Sequence, residues 1–131
     1  MAHMERTEKI TINLGPVDLG QIDLLVQEGF YSNRTDFIRT AIRNQLTTHA
    51  EVVKRTVARK TLVLGLHHYT RQDLEAVKSA GEKLQINVLG LVSIAEDVST
   101  ELALATIDSI IVLGALRASP AVKAALAGRI K

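Results

Sequence analysis

The chain has 131 residues, with 16 Lys and Arg against 14 Asp and Glu, and it contains no Cys and no Trp. That length suits one domain or two small ones, and without Cys there is no disulfide scaffold, thiolate metal site or Cys nucleophile. No apolar run approaches the roughly 20 residues of a membrane helix, and two Phe and two Tyr make no aromatic platform for stacking bases. Residues 1–7 are expected to be a leader remnant and flexible arm. The opening MAHM lacks the apolar core of a signal peptide and reads as a vector-derived leader joined to a native start at Met4. The expected setting is the cytoplasm of a prokaryote.

The charge is not evenly spread. Residues 4–60 hold nine Lys and Arg against seven Asp and Glu, whereas residues 61–131 hold seven of each. The first half is therefore the more basic, and the second is rich in Val, Leu, Ile, Ala and Gly.

Residues 9–14, KITINL, alternate polar and apolar. In a strand Ile10, Ile12 and Leu14 share one face, and Lys9, Thr11 and Asn13 the other. Gly15-Pro16 stops this strand, and Pro16 suits the first turn of a helix, where its missing N–H is not needed. Asp18 suits the same turn. Val17, Ile22, Leu25 and Val26 form the apolar stripe, and Gly29 ends it. Asn33 then reads as an N-cap, with Asp36 in capping-box position. The following helix carries Phe37, Ile38, Ala41, Ile42 and Leu46 on one face. Arg34, Arg39 and Arg43 lie opposite, where a solvated face or ion pairing accounts for Arg39 and Arg43.

One strand and two helices do not close a fold, because the strand keeps two unpaired edges and little covers its apolar side. A dimer solves this. Two strands pair antiparallel about a two-fold axis, and four helices close over Ile10, Ile12, Leu14, Ile22, Phe37, Ile38 and Ile42. The exposed side of that two-stranded ribbon fits the DNA major groove.

Residues 8–46, and most of all GFYSNRTDFIRTAI, resemble the ribbon-helix-helix DNA-binding domain of the Arc/MetJ/CopG superfamily. The resemblance implies that Lys9, Thr11 and Asn13 fall on the base-reading positions of the ribbon. It also implies that Ser32, Asn33 and Arg34 lie where the second helix meets a phosphate. Free N–H groups and the helix dipole favour an anion there.

Residues 8–48 are thus expected to be the ribbon-helix-helix domain and residues 49–60 a helix extension or linker. Residues 61–131 are expected to be a module of β-α repeats. Three segments there resemble one another around Gly65, Gly90 and Gly114, spaced 25 and 24 residues apart. Each reads as an apolar strand, a short turn and a helix: 62–64 then 73–80, 86–89 then 99–106, and 110–112 then 120–127. This period suits parallel strands in a leucine-rich-repeat-like stack; an ordinary small α/β domain is the alternative. Strands apolar on both faces belong to sheets covered on both sides. Three helices cover one side, so the other is expected to meet a second copy or a partner, with Val88 or Val112 facing the contact. The overall fold class is α+β.

His67 and His68 are the one adjacent histidine pair. Neighbouring strand residues point to opposite faces, so no metal site is expected; the alternative is a site formed by His68 with Glu82 or a symmetry mate. Glu96 and Asp97 lie in an expected loop, and no catalytic motif accompanies them; neither an enzyme nor a cofactor is expected. The sequence therefore points to a homodimeric, sequence-specific DNA-binding repressor, with higher assembly through residues 61–131. The alternative is an antitoxin or a plasmid-partition or DNA-organising protein whose second half binds a partner protein.

Overall fold

The computed structural model describes residues 7–131. The expected leader and arm therefore lie, apart from Thr7, outside the described residues. Two compact units are present, residues 7–56 and residues 57–131.

In the first unit, residues 7–15 form neither helix nor strand. The strand expected over 9–14 has no ladder, because a strand needs a neighbour and its own chain supplies none. Helix α1 follows at Pro16–Gln27, with Pro at its start and Asp18 in its first turn. Gly29, at φ +84°, ends it. The Phe30 N–H donates to Leu25 O at 3.0 Å and the Gly29 N–H to Val26 O at 3.1 Å, so the last carbonyls are satisfied. Helix α2 is Arg34–Thr48. Helix α3, Ala50–Arg59, occupies the segment expected to be a helix extension or linker, and only His49 separates it from α2. Thr61 closes α3 at φ +52°, with Leu62 N–H donating to Val57 O at 3.0 Å. This is the turn that ends α1, made with a β-branched residue where α1 uses glycine.

The second unit is a three-stranded sheet in the order β1-β2-β3. Its strands are β1 Val63–Tyr69, β2 Leu84–Ile94 and β3 Ile107–Arg117. Both pairings are parallel. Helices α4 Arg71–Ser79, α5 Thr100–Thr106 and α6 Pro120–Ala125 follow the three strands in turn. Each starts on a side-chain cap, from Thr70, Ser99 and Ser119 respectively. Parallel strands need such crossovers, and helices are the usual ones.

The strands run well past the expected 62–64, 86–89 and 110–112. The repeat glycines do not turn the chain; they lie within the strands and in register, Gly65 beside Gly90 and Gly90 beside Gly114. All three have φ between +125° and +142°. A Cβ on Gly90 would stand 2.1 Å from Gly65 O, and one on Gly114 would stand 2.1 Å from Gly90 O. Positive φ and close backbone approach both require glycine, which is why the period shows in the sequence.

The core lies between the sheet and its helices. Leu74, Val92, Ile107, Ile110, Val122 and Leu126 are all at most 1 % exposed, and each such side chain contributes about 1.5–3 kcal/mol. The Thr106 hydroxyl is buried but donates to Leu102 O at 2.7 Å. Arg129 Nη1 donates to Leu104 O and Ile107 O at 2.6 and 2.7 Å, which ties the chain end to the α5–β3 junction.

Among the described residues, helices cover only one sheet face. Val88 belongs to the buried cluster and Val112 packs against it. The expectation that one of them faces a partner is therefore corrected: both lie on the helix side. Leu64, Leu66 and Leu113 are exposed on the other. With strict alternation, the odd and even positions of β2 divide cleanly between the two faces.

Candidate nucleic-acid interface

The first unit is apolar where nothing covers it. Ile10 and Ile12 are 76 % and 60 % exposed, and Leu14 and Ile42 are also exposed. Phe37 and Ile38 are half-buried. Of the seven residues expected in a dimer core, only Ile22 is buried within its own chain. A hollow of about 360 Å³ opens among Leu14, Asp18, Gln21, Ile22, Leu25 and Phe37. In the turn between the two helices, Tyr31 meets Phe37 of α2 edge to face, with centroids 5.0 Å apart. Lys9, Thr11 and Asn13 are exposed and alternate with this apolar row.

The start of α2 is built in detail. Asn33 Oδ1 accepts from the Asp36 N–H at 2.8 Å. The Asp36 carboxylate in turn accepts from the Ser32 N–H at 2.9 Å. The expected capping box is therefore shifted by one residue on its return bond. Ser32 N–H and the Asn33 side chain are consumed in this cap. Among the described residues the N–H groups of Arg34 and Thr35, in the first turn, have no backbone acceptor, and such groups are what an anion at a helix start uses.

Arg34 carries a partner that the sequence pattern did not reveal. Its Nε donates to Asp23 Oδ1 at 2.7 Å and its Nη2 to Asp23 Oδ2 at 2.8 Å. The pair bridges α1 and α2 across 11 residues, a separation no helix periodicity encodes. Both side chains are about half exposed, so the pair orients more than it stabilises. The guanidinium hydrogen bonds hold the Asp23 carboxyl below the usual carboxylate range, and Asp23 raises Arg34 in return. The bidentate grip uses one edge of the guanidinium, and Nη1 keeps its two donors for a further acceptor. Arg39 and Arg43 are exposed and enter no ion pair among the described residues.

The histidine pair behaves as strand geometry demands. His68 Nδ1 lies 3.0 Å from Ser93 Oγ on the neighbouring strand, while His67 pairs in register with buried Val92. Among the described residues no group of three or more His, Cys, Asp or Glu is placed to hold a metal ion. Asp97 lies 3.9 Å from Arg71, as a surface ion pair. Among the same residues, no helix is long and apolar enough to cross a membrane.

An exposed polar row alternates with uncovered apolar side chains and is followed by two helices, the second capped by Asn33. The sequence profile of the Ribbon-Helix-Helix transcriptional regulator family matches residues 5–123, and the chain belongs to that family. Members of this family bind DNA as dimers, and the family is generally non-enzymatic. The chain is also similar to an uncharacterized protein of Methanocaldococcus jannaschii, MJ1679, at 42 % identity over 40 residues. Those residues are 30 % of this chain and 41 % of that protein, so the chain spans well under half of its relative's length. No solved structure matches the chain.

Proposed function

We propose that the protein is a homodimeric, sequence-specific transcriptional repressor that inserts a two-stranded antiparallel ribbon into the DNA major groove. The observation that carries this reading is the row of Ile10, Ile12 and Leu14, exposed beside a hollow formed with Ile22 and Phe37. A second copy of the same segment pairs the strand edges and fills that hollow. The pairing turns Lys9, Thr11 and Asn13 of both chains outward together. Asn and Lys at such positions offer donors to base edges, and a Thr methyl packs on thymine. Ser32, Asn33 and Arg34 at the start of α2 position the dimer on phosphates, with Asp23 aiming the guanidinium. Repression follows from occupancy: a dimer seated over a promoter blocks polymerase.

Residues 8–48 carry this activity, and residues 61–131, neutral in sum, carry assembly. The bare sheet face also supports the second reading, an antitoxin or partition protein whose partner covers it. The test is selection of bound sequences from random duplexes by the purified protein. A palindromic motif recovered with the wild type and lost with Asn13→Ala is the expected result. Recovery of no motif, with binding only to random DNA, would refute sequence-specific repression.

A further inference from the structure

Among the described residues of the second unit one sheet face is uncovered, and its composition is ordered. Across the middle of that face run Leu64, Leu89 and Leu113 in register, then Leu66, Leu91 and Ala115. Leu64, Leu66 and Leu113 are 61, 50 and 51 % exposed. None of these leucines belongs to the cluster beneath the helices. Polar rows bound the patch at both ends. His68, Ser93 and Arg117 align at one end; at the other, Asn87 beside Ile111 is followed by Gln85 and Ser109. An uncharged apolar centre with a polar rim is the anatomy of a protein interface. Parallel sheets, moreover, are almost always covered on both faces.

We infer that this face packs against the same face of the second chain in the dimer, as two sheets stacked about a two-fold axis. Two arguments select a second copy over a foreign partner. The centre of the patch carries no charge that would specify a different surface, so it is complementary to itself. A three-stranded face is also small, whereas free-standing interfaces bury about 1,000 Å² or more. Family members bind DNA as dimers, so a second copy is already tethered. At the millimolar effective concentrations that tethering supplies, a small apolar face suffices. Such a contact is a second clasp on the dimer, additional to the ribbon. It keeps the two chains together at dilutions where the ribbon half alone would part. The inference rests on the dimeric reading but not on what DNA is bound.

The absence of cysteine makes the test clean. Leu89, on the central strand, lies near the axis of any such stack. The full chain with Leu89→Cys is treated, without DNA, with a short bis-maleimide whose reach matches the ~10 Å between packed sheets. A covalent dimer whose yield does not fall on dilution is expected. Lys78→Cys, on α4 behind the sheet, should give none. Adding Leu64→Glu and Leu113→Glu, both at exposed positions, should abolish the cross-link, with circular dichroism confirming the fold. The same pair of changes in the Cys-free chain should raise the dimer dissociation constant at least ten-fold by sedimentation. A Leu89→Cys thiol that reacts freely with a monofunctional maleimide and never cross-links would overturn the inference. A protected thiol that does not cross-link would overturn it too, because something other than the second copy then covers the face. Selecting no operator would sink the repressor reading and leave this result unchanged.

Discussion

Replacing Gly90 by Ala should unfold or severely weaken the sheet, whereas Gly65→Ala should be tolerated. The two glycines share the same strained backbone, at φ +142° and +128°. A side chain in such a region costs about 1–3 kcal/mol by itself, and both variants incur that. They differ in what the new Cβ meets. At Gly65 it meets nothing within 4 Å, whereas at Gly90 it lies 2.1 Å from the carbonyl oxygen of Gly65 and 3.0 Å from its carbon. The obstacle is backbone held in a ladder, not a side chain that can swing away. Relief requires β1 and β2 to separate by about an ångström, which breaks ladder hydrogen bonds at about 0.5–1.5 kcal/mol each. The total for Gly90→Ala should exceed about 4 kcal/mol, in the range reserved for structural conflict. Gly114→Ala should match it, since its Cβ meets Gly90 O at the same 2.1 Å. Urea unfolding followed by circular dichroism measures the loss, and hydrogen exchange in residues 84–94 assigns it to the sheet. Equal losses, within about 0.5 kcal/mol, for Gly65→Ala and Gly90→Ala would refute the close-approach argument.

Asn13→Ala should lose about 1–3 kcal/mol at the cognate operator and little on random duplex, measured by fluorescence anisotropy; equal losses would exclude base reading. Arg34→Ala should weaken both DNAs alike and reduce the salt slope by about 0.9 per phosphate contact removed, while Asp23→Asn, which keeps one oxygen acceptor to orient the guanidinium but removes the negative charge beside it, should tighten binding to both. Thr61→Gly should stabilise the chain by about 1 kcal/mol by relieving the φ of +52° that a β-branched residue adopts only under strain, as read by urea titration. Acid should weaken the start of α4. Hydrogen bonds from the Thr70 backbone and side chain hold the Asp73 carboxyl below its ordinary 3.8, so its contribution is complete above that value. It is lost as pH falls through the lower folded value. Asp73→Asn should remove this part of the acid sensitivity, and an unchanged acid titration would argue against the cap.

The sequence alone determined the local devices of this protein. Pro16, Gly29 and Asn33 each leave a signature within a few residues of the backbone groups they serve, because caps and turns are short-range. The alternation in 9–14 and the repeated glycines are legible for the same reason: periodicity reports which side chains share a face. The family resemblance over 8–46 rests on those local patterns. Tertiary structure decided what local patterns leave open. The Asp23–Arg34 bridge joins residues from different helices, so only the packing of α1 against α2 reveals it. The repeat of Gly65, Gly90 and Gly114 shows in the sequence, but only their alignment across three parallel strands shows why a Cβ on Gly90 or Gly114 would strike the neighbouring backbone while one on Gly65 would not. Apolarity on both faces of a strand leaves open which face the helices take. The crossovers put α4, α5 and α6 on the side of Val88 and Val112, and so left the leucines of the other face uncovered.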